Sequence, residues 1–142
     1  MKHVADILNT KGSEVWTITP HQNVFDALSL MAEKEIGALL VMQDDKLRGI
    51  FTERDYARKI ILKGLSSKSC VVGDIMTSKV LCVTPEHSVD ECLALMTDGR
   101  LRHLPVIDHK KVVGLISIGD LVKITIEDQQ FIIEQMQSYI SG

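Results

Sequence analysis

The amino-acid sequence predicts a mixed α/β (α+β) fold made of two tandem β-α-β-β-α repeats. Three observations predict it. The chain matches itself at a shift of 65 residues, and each copy alternates short β-prone runs with segments of helical period. Its 142 residues are 45% hydrophobic, enough to bury one core or two small fused ones. In the repeat register Thr19-Pro20 falls on Thr84-Pro85, and Val24, Leu28, Leu30 and Met31 fall on Val89, Leu93, Leu95 and Met96. Leu39, Val41, Lys46, Gly49 and Asp55 fall on Leu104, Val106, Lys111, Gly114 and Asp120. Val4–Leu8 mirrors Val72–Met76 at a shift of 68, so the first copy carries about three extra residues around Lys11-Gly12-Ser13.

The elements follow in order. Val15–Ile18 and Val80–Val83 are β-prone runs, each stopped by Thr-Pro. Val24, Ala27, Leu28 and Met31 then fall at i, i+3, i+4 and i+7, as do Val89, Cys92, Leu93 and Met96. Asn23 and Ser88 are placed as N-caps, with Asp26 and Glu91 three residues on in capping-box position. Two apolar runs come next around a polar turn, Asp44-Asp45 in one copy and His109-Lys110 in the other. A second helix starts at Thr52 or Ser117. The stretch Leu62–Ser69 is the clear linker, with Gly64 placed to end the preceding helix.

The expected division is repeat 1 over residues 1–64, a linker at 65–71, repeat 2 over 72–126 and an amphipathic C-terminal helix over 127–142. Each repeat is small for independent stability, which points to one obligate two-repeat module. In the last helix Ile132, Met136, Tyr139 and Ile140 keep helical spacing. That stripe either packs on its own module or makes a dimer contact.

Composition excludes several functions. A net charge of −3 does not supply the basic face a nucleic-acid partner needs. No apolar run approaches the roughly 20 residues of a membrane span, and the N-terminus lacks a signal-peptide h-region. A cytoplasmic protein is expected. Cys70, Cys82 and Cys92 have no C-x-x-C spacing and the histidines are scattered, so neither a disulfide framework nor a metal is predicted. No nucleophile beside a base, Walker-A loop or G-x-G-x-x-G is placed for catalysis, and the chain reads as a non-enzyme.

Four motifs recur in order: Val72–Thr77 (VGDIMT), Val83-Thr84-Pro85, Arg102–Asp108 (RHLPVID) and Gly114–Asp120 (GLISIGD), the last mirrored by Gly49–Asp55 (GIFTERD). With the doubled β-α-β-β-α order they resemble the CBS (cystathionine-beta-synthase) domain pair, or Bateman module, from about Val4 to Ile126. The stretch Thr52–Leu62 with Arg100–Asp108 is similar to stand-alone members consisting of little else.

The resemblance implies an adenosyl ligand (AMP, ADP, ATP, NAD or S-adenosylmethionine) held in clefts between the repeats. Asp55 and Asp120 would accept hydrogen bonds from ribose hydroxyls, and Thr52 and Ser117 would offer donors to phosphate at a helix N-terminus. Arg102 and His103, beside Arg100, would reach phosphate. Pro105 removes a ladder donor and suggests an edge or cleft wall. Thr77 and Val80 complete the nucleotide-binding set. Ser/Thr-x-x-Asp is also a capping box, and the two roles can coexist.

The first copy departs from the pattern, because Ile36–Leu40 has no basic residue. Arg54, Arg58 and Lys59 read as a solvated helix face, and Trp16 as a core or cleft-wall residue. The second repeat is therefore the better-equipped half. The functional expectation is a nucleotide sensor that acts through a change of shape or dimer interface. It would form a homodimer and regulate a protein the sequence does not identify. The competing reading is a nucleotide-independent adaptor.

Overall fold

The structure, a computed structural model, describes residues 2–141, so Gly142 of the expected C-terminal helix lies outside the described residues. The chain forms two compact α+β units that are not contiguous in sequence. One holds Glu14–Leu81 with Lys110–Val112. The other holds the N-terminal residues through Ser13, Cys82–His109, and the chain from Val113 onward.

In the first of these units, β1 (Thr17–Ile18) runs parallel to β2 (Ala38–Gln43), which pairs antiparallel with β3 (Lys46–Thr52). Asp44 and Asp45 turn the hairpin at φ 53° and 60°, the left-handed pair that a two-residue type I′ turn demands. Helix α2 (Val24–Lys34) starts where the Asn23 side chain accepts the Asp26 N–H at 2.9 Å. After β3 the chain enters a short helix, α3 (Glu53–Tyr56), which widens into a π turn over Ala57–Ile61. Gly64, at φ 68°, follows it as the C-terminal signal anticipates. Helix α4 (Val72–Ile75) closes the unit. The apolar face of α2 (Val24, Ala27, Met31) packs with Leu39, Val41, Phe51 and Ile60, and α4 adds Val72 and Ile75.

The other unit is built on α1 (Val4–Lys11), α5 (Val89–Gly99), β4 (His103–Asp108), β5 (Lys111–Ser117) from Val113 onward, and α6 (Ile118–Ser141), with β4 and β5 paired as a hairpin. Its α5 has a complete capping box. The Glu91 N–H donates to Ser88 Oγ at 3.0 Å, and the Ser88 N–H donates to Glu91 Oε1 at 2.9 Å. Val4 and Ile7 of α1 join Val83, Val89, Cys92, Met96, Leu104, Val106, Ile116 and Leu121 in its core. The opening helix of each sequence repeat thus completes the core of the other repeat's unit.

Two expectations are corrected. Val80–Val83 does not form a strand: only Val83 bridges β4, donating to the Pro105 carbonyl at 3.0 Å and accepting from the Ile107 N–H at 2.8 Å. Pro105 has no N–H to offer, so the ladder stops there. In the first repeat the matching residue is Leu40, whose N–H does donate to the Trp16 carbonyl, at 3.4 Å. The second correction concerns the C-terminus. The last helix of repeat 2 and the expected 127–142 helix are one continuous α6. The stripe does not pack on its own unit, since Ile132 is 49% exposed and Tyr139 89%.

Candidate functional site

Thr52, Asp55, Thr77 and Val80 lie in one unit, and Arg102, His103, Pro105, Ser117 and Asp120 in the other. Each unit centres on a carboxylate where its last strand enters a helix.

At the end of β3, Thr52 is extended and caps α3. The Asp55 N–H donates to Thr52 Oγ1 at 3.1 Å, while the Thr52 N–H and hydroxyl donate to Asp55 Oδ2 at 3.1 and 3.2 Å. The opposite carboxylate oxygen receives the Thr77 hydroxyl and the Lys59 ammonium, each at 3.1 Å. Lys59 also donates to the Ile75 carbonyl at 2.8 Å. A carboxylate has about four lone-pair directions, so Asp55, only 7% exposed, is fully engaged by its own unit. The reading of Lys59 as a solvated helix face is corrected, because at i+4 on the same helical segment its ammonium turns back to Asp55. Thr77 is brought to the carboxylate, and its N–H and C=O exchange hydrogen bonds with Ile50 at 2.9 Å. Val80 is half-buried three residues further on. Trp16 packs against the core with the Lys34 ammonium 4.2 Å above its ring.

In the other unit, the Asp120 N–H donates to Ser117 Oγ at 3.1 Å, and the Ser117 N–H donates to Asp120 Oδ2 at 2.8 Å. The second engagement of that oxygen comes from far away in sequence. Lys11, at the end of α1, donates to Asp120 Oδ2 at 2.6 Å and to the Leu115 carbonyl at 2.7 Å. Burial pushes the Asp120 carboxyl upward, but the hydrogen bonds from Lys11 and Ser117 outweigh it and hold the group below its ordinary value. His103, in β4, is held below the ordinary histidine range by burial first and by Lys11 second. Asp120 opposes that shift and Arg102 adds to it. Arg102 is exposed, and its carbonyl accepts the Ile118 N–H at 2.8 Å. Pro105 is buried within β4. A recess beside Asp120 is walled by Ile7 and Ile124, with Thr10, Lys11, Lys123 and Glu127 at its polar side.

Gly49 and Gly114 occupy matching positions beside these carboxylate sites. A side chain at Gly49 would meet Met76 Sδ and the Thr77 carbonyl at 2.7 Å. At Gly114 it would meet Leu8 Cδ2 at 2.6 Å. The close approach lets the opening segments lie against β3 and β5. Sequence reasoning placed Lys11 only among the extra residues of the first copy and gave it no part in the site, since no local pattern relates residues 109 positions apart.

Among the described residues no group of three or more His, Cys, Asp or Glu is arranged for a metal ion. No helix among them is long and apolar enough to cross a membrane. Burial, with Glu91 adding to it, pushes the Cys92 thiol up to about 11, as suits a core residue.

The family model for the CBS domain matches residues 4–62 and 72–127. The CBS domain-containing protein CBSX3, mitochondrial, of Arabidopsis thaliana is 42% identical over 149 residues, covering 98% of this chain and 72% of the relative. A solved protein with CBS domains from Burkholderia ambifaria is 56% identical with a TM-score of 0.87, over 90% of this chain and 96% of that one. The structure of CBSX2 in complex with AMP shares the fold at a TM-score of 0.73 and 24% identity, over 89% and 98% of the two chains.

Proposed function

The chain belongs to the CBS-domain family, and we propose that it is a regulatory module that binds AMP, ADP, ATP or NAD without turning the ligand over. The observation that carries this is the carboxylate at the strand-to-helix junction of the second repeat. Asp120 is held ionised, is capped by Ser117, and lies beside His103 and a recess with two lysines. A carboxylate suits a ribose diol, and the neighbouring cations suit phosphate. The AMP complex of CBSX2 supports an adenosyl ligand for this fold. Asp55 with Thr52 and Thr77 supplies the equivalent element of the first repeat, in a more saturated form.

Regulation needs a ligand that favours one of two states of the protein. Association with a second copy fits that need, since the C-terminal half of α6 leaves Phe131, Met136, Tyr139 and Ile140 at least 59% exposed. Calorimetric titration with AMP, ADP, ATP and NAD tests the reading. At least one should bind saturably, and Asp120→Asn should weaken it by about tenfold or more, the worth of a hydrogen bond to a charged group. Silence from all four at millimolar concentration overturns it. The second reading, a nucleotide-independent adaptor, is favoured by the same exposed stripe and by the absence of a basic residue in Ile36–Leu40. A pull-down whose partners ignore added nucleotide would support it.

A further inference from the structure

Asp120 already has a cation. Lys11 Nζ sits 2.6 Å from its Oδ2, and the two side chains are 37% and 24% exposed, so the pair is partly withdrawn from water. A ribose diol that donates to Asp120 competes with this ammonium for one carboxylate. If the diol wins, Lys11 keeps the Leu115 carbonyl but loses its nearest counter-charge, in a recess where Lys123 and Glu127 offset each other. An uncharged ligand leaves that imbalance in place, whereas a phosphorylated one brings the replacement anion with it. Lysine suits the exchange, being a point charge on a flexible stem with three donors. The first repeat has no such exchange open to it. Lys59 is anchored four residues from Asp55 on the same helical segment, and Thr77 holds the same oxygen.

We propose that Lys11 is a displaceable counter-cation on Asp120, which moves to the ligand's phosphate and so makes the second-repeat site select phosphorylated adenosyl ligands over uncharged ones. This rests on the adenosyl-binding reading above. It gives the N-terminal helix, otherwise a packing element, a part in specificity.

The test is calorimetric titration of AMP and adenosine into the full chain, its Lys11→Ala and Lys11→Gln variants, and a Lys11→Arg control. Lys11 ends α1 and is exposed, so these variants are expected to fold, which circular dichroism checks. The wild type should prefer AMP by about tenfold or more. Removing the ammonium should weaken AMP by about tenfold while leaving adenosine unchanged or tighter, and Lys11→Arg should retain the preference. A shift of both ligands in the same direction, or AMP binding indifferent to Lys11→Ala, overturns the proposal while leaving the adenosyl-binding reading intact. If neither ligand binds any of the proteins at millimolar concentration and ADP, ATP and NAD are silent too, both fall together.

Discussion

Asp55 and Asp120 occupy matching positions, yet replacing each by alanine should cost very different amounts of stability. Asp55 accepts from the Thr52 N–H, the Thr52 and Thr77 hydroxyls and the Lys59 ammonium, with its side chain 9% exposed. Alanine there removes a capping box, worth about 1 kcal/mol. It also strips the half-buried Thr77 hydroxyl and Lys59 of a partner, at about 1 kcal/mol each. The total is about 3 kcal/mol. Asp120 loses its cap as well, about 1 kcal/mol. Its ion pair with Lys11 is open enough to water to be discounted to about 0.5 kcal/mol. The expected sum is about 1.5 kcal/mol. Urea denaturation followed by Trp16 fluorescence and far-ultraviolet circular dichroism measures both, provided the slopes of the transitions agree. Equal costs, or a larger cost at Asp120, would refute the view that Asp55 is the structurally committed carboxylate. A small loss of stability at Asp120 with complete loss of nucleotide binding would mark it as the ligand residue.

Other consequences follow from the same contacts. Gly49→Ala should destabilise by about 2–3 kcal/mol, because the Thr77 carbonyl it strikes is pinned to the Ile50 N–H, whereas Gly114→Ala should cost about 1 kcal/mol as Leu8 rotates aside. Matching denaturation midpoints for the two variants would contradict this. His103 has a folded pKa below its unfolded one, through burial and then Lys11. Its contribution to stability is thus present above about pH 6.5 and lost as pH falls from there through the folded value. Thermal melts of His103→Gln should show a flatter acid limb than the wild type. Ser88→Ala should cost about 1 kcal/mol, since it removes one half of the α5 capping box. A loss within experimental error would mean that the box contributes nothing.

Most of the fold was legible because its signals are local. The i, i+3, i+4, i+7 spacing of Val24, Ala27, Leu28 and Met31 identified α2, and Asn23 and Ser88 marked helix starts that the side chains confirm. Asp44-Asp45 and His109-Lys110 marked the hairpins, all four residues standing at positive φ. The Val80–Val83 strand failed for a non-local reason, the missing N–H of Pro105 on its partner. For the candidate site, Thr52, Asp55, Ser117 and Asp120 were legible as a repeated motif. What each carboxylate binds was legible only for the first: Lys59 stands at i+4 from Asp55, a spacing any helix makes a pair, whereas Lys11 reaches Asp120 from 109 positions away.

The sequence by itself determined the two repeats, their helices, caps and turns, and the two carboxylates at the strand-to-helix junctions. Periodicity and capping act over a few residues and leave a readable trace. Only the tertiary structure decided that the opening helices change places. Val4 and Ile7 join the core of the second repeat, and Val72 and Ile75 that of the first. Apolar burial is non-directional, so a short helix that buries one valine and one isoleucine on a single face does not say which core it completes. That choice brings Lys11 to Asp120 and Thr77 to Asp55, and so makes two similar motifs into unequal sites.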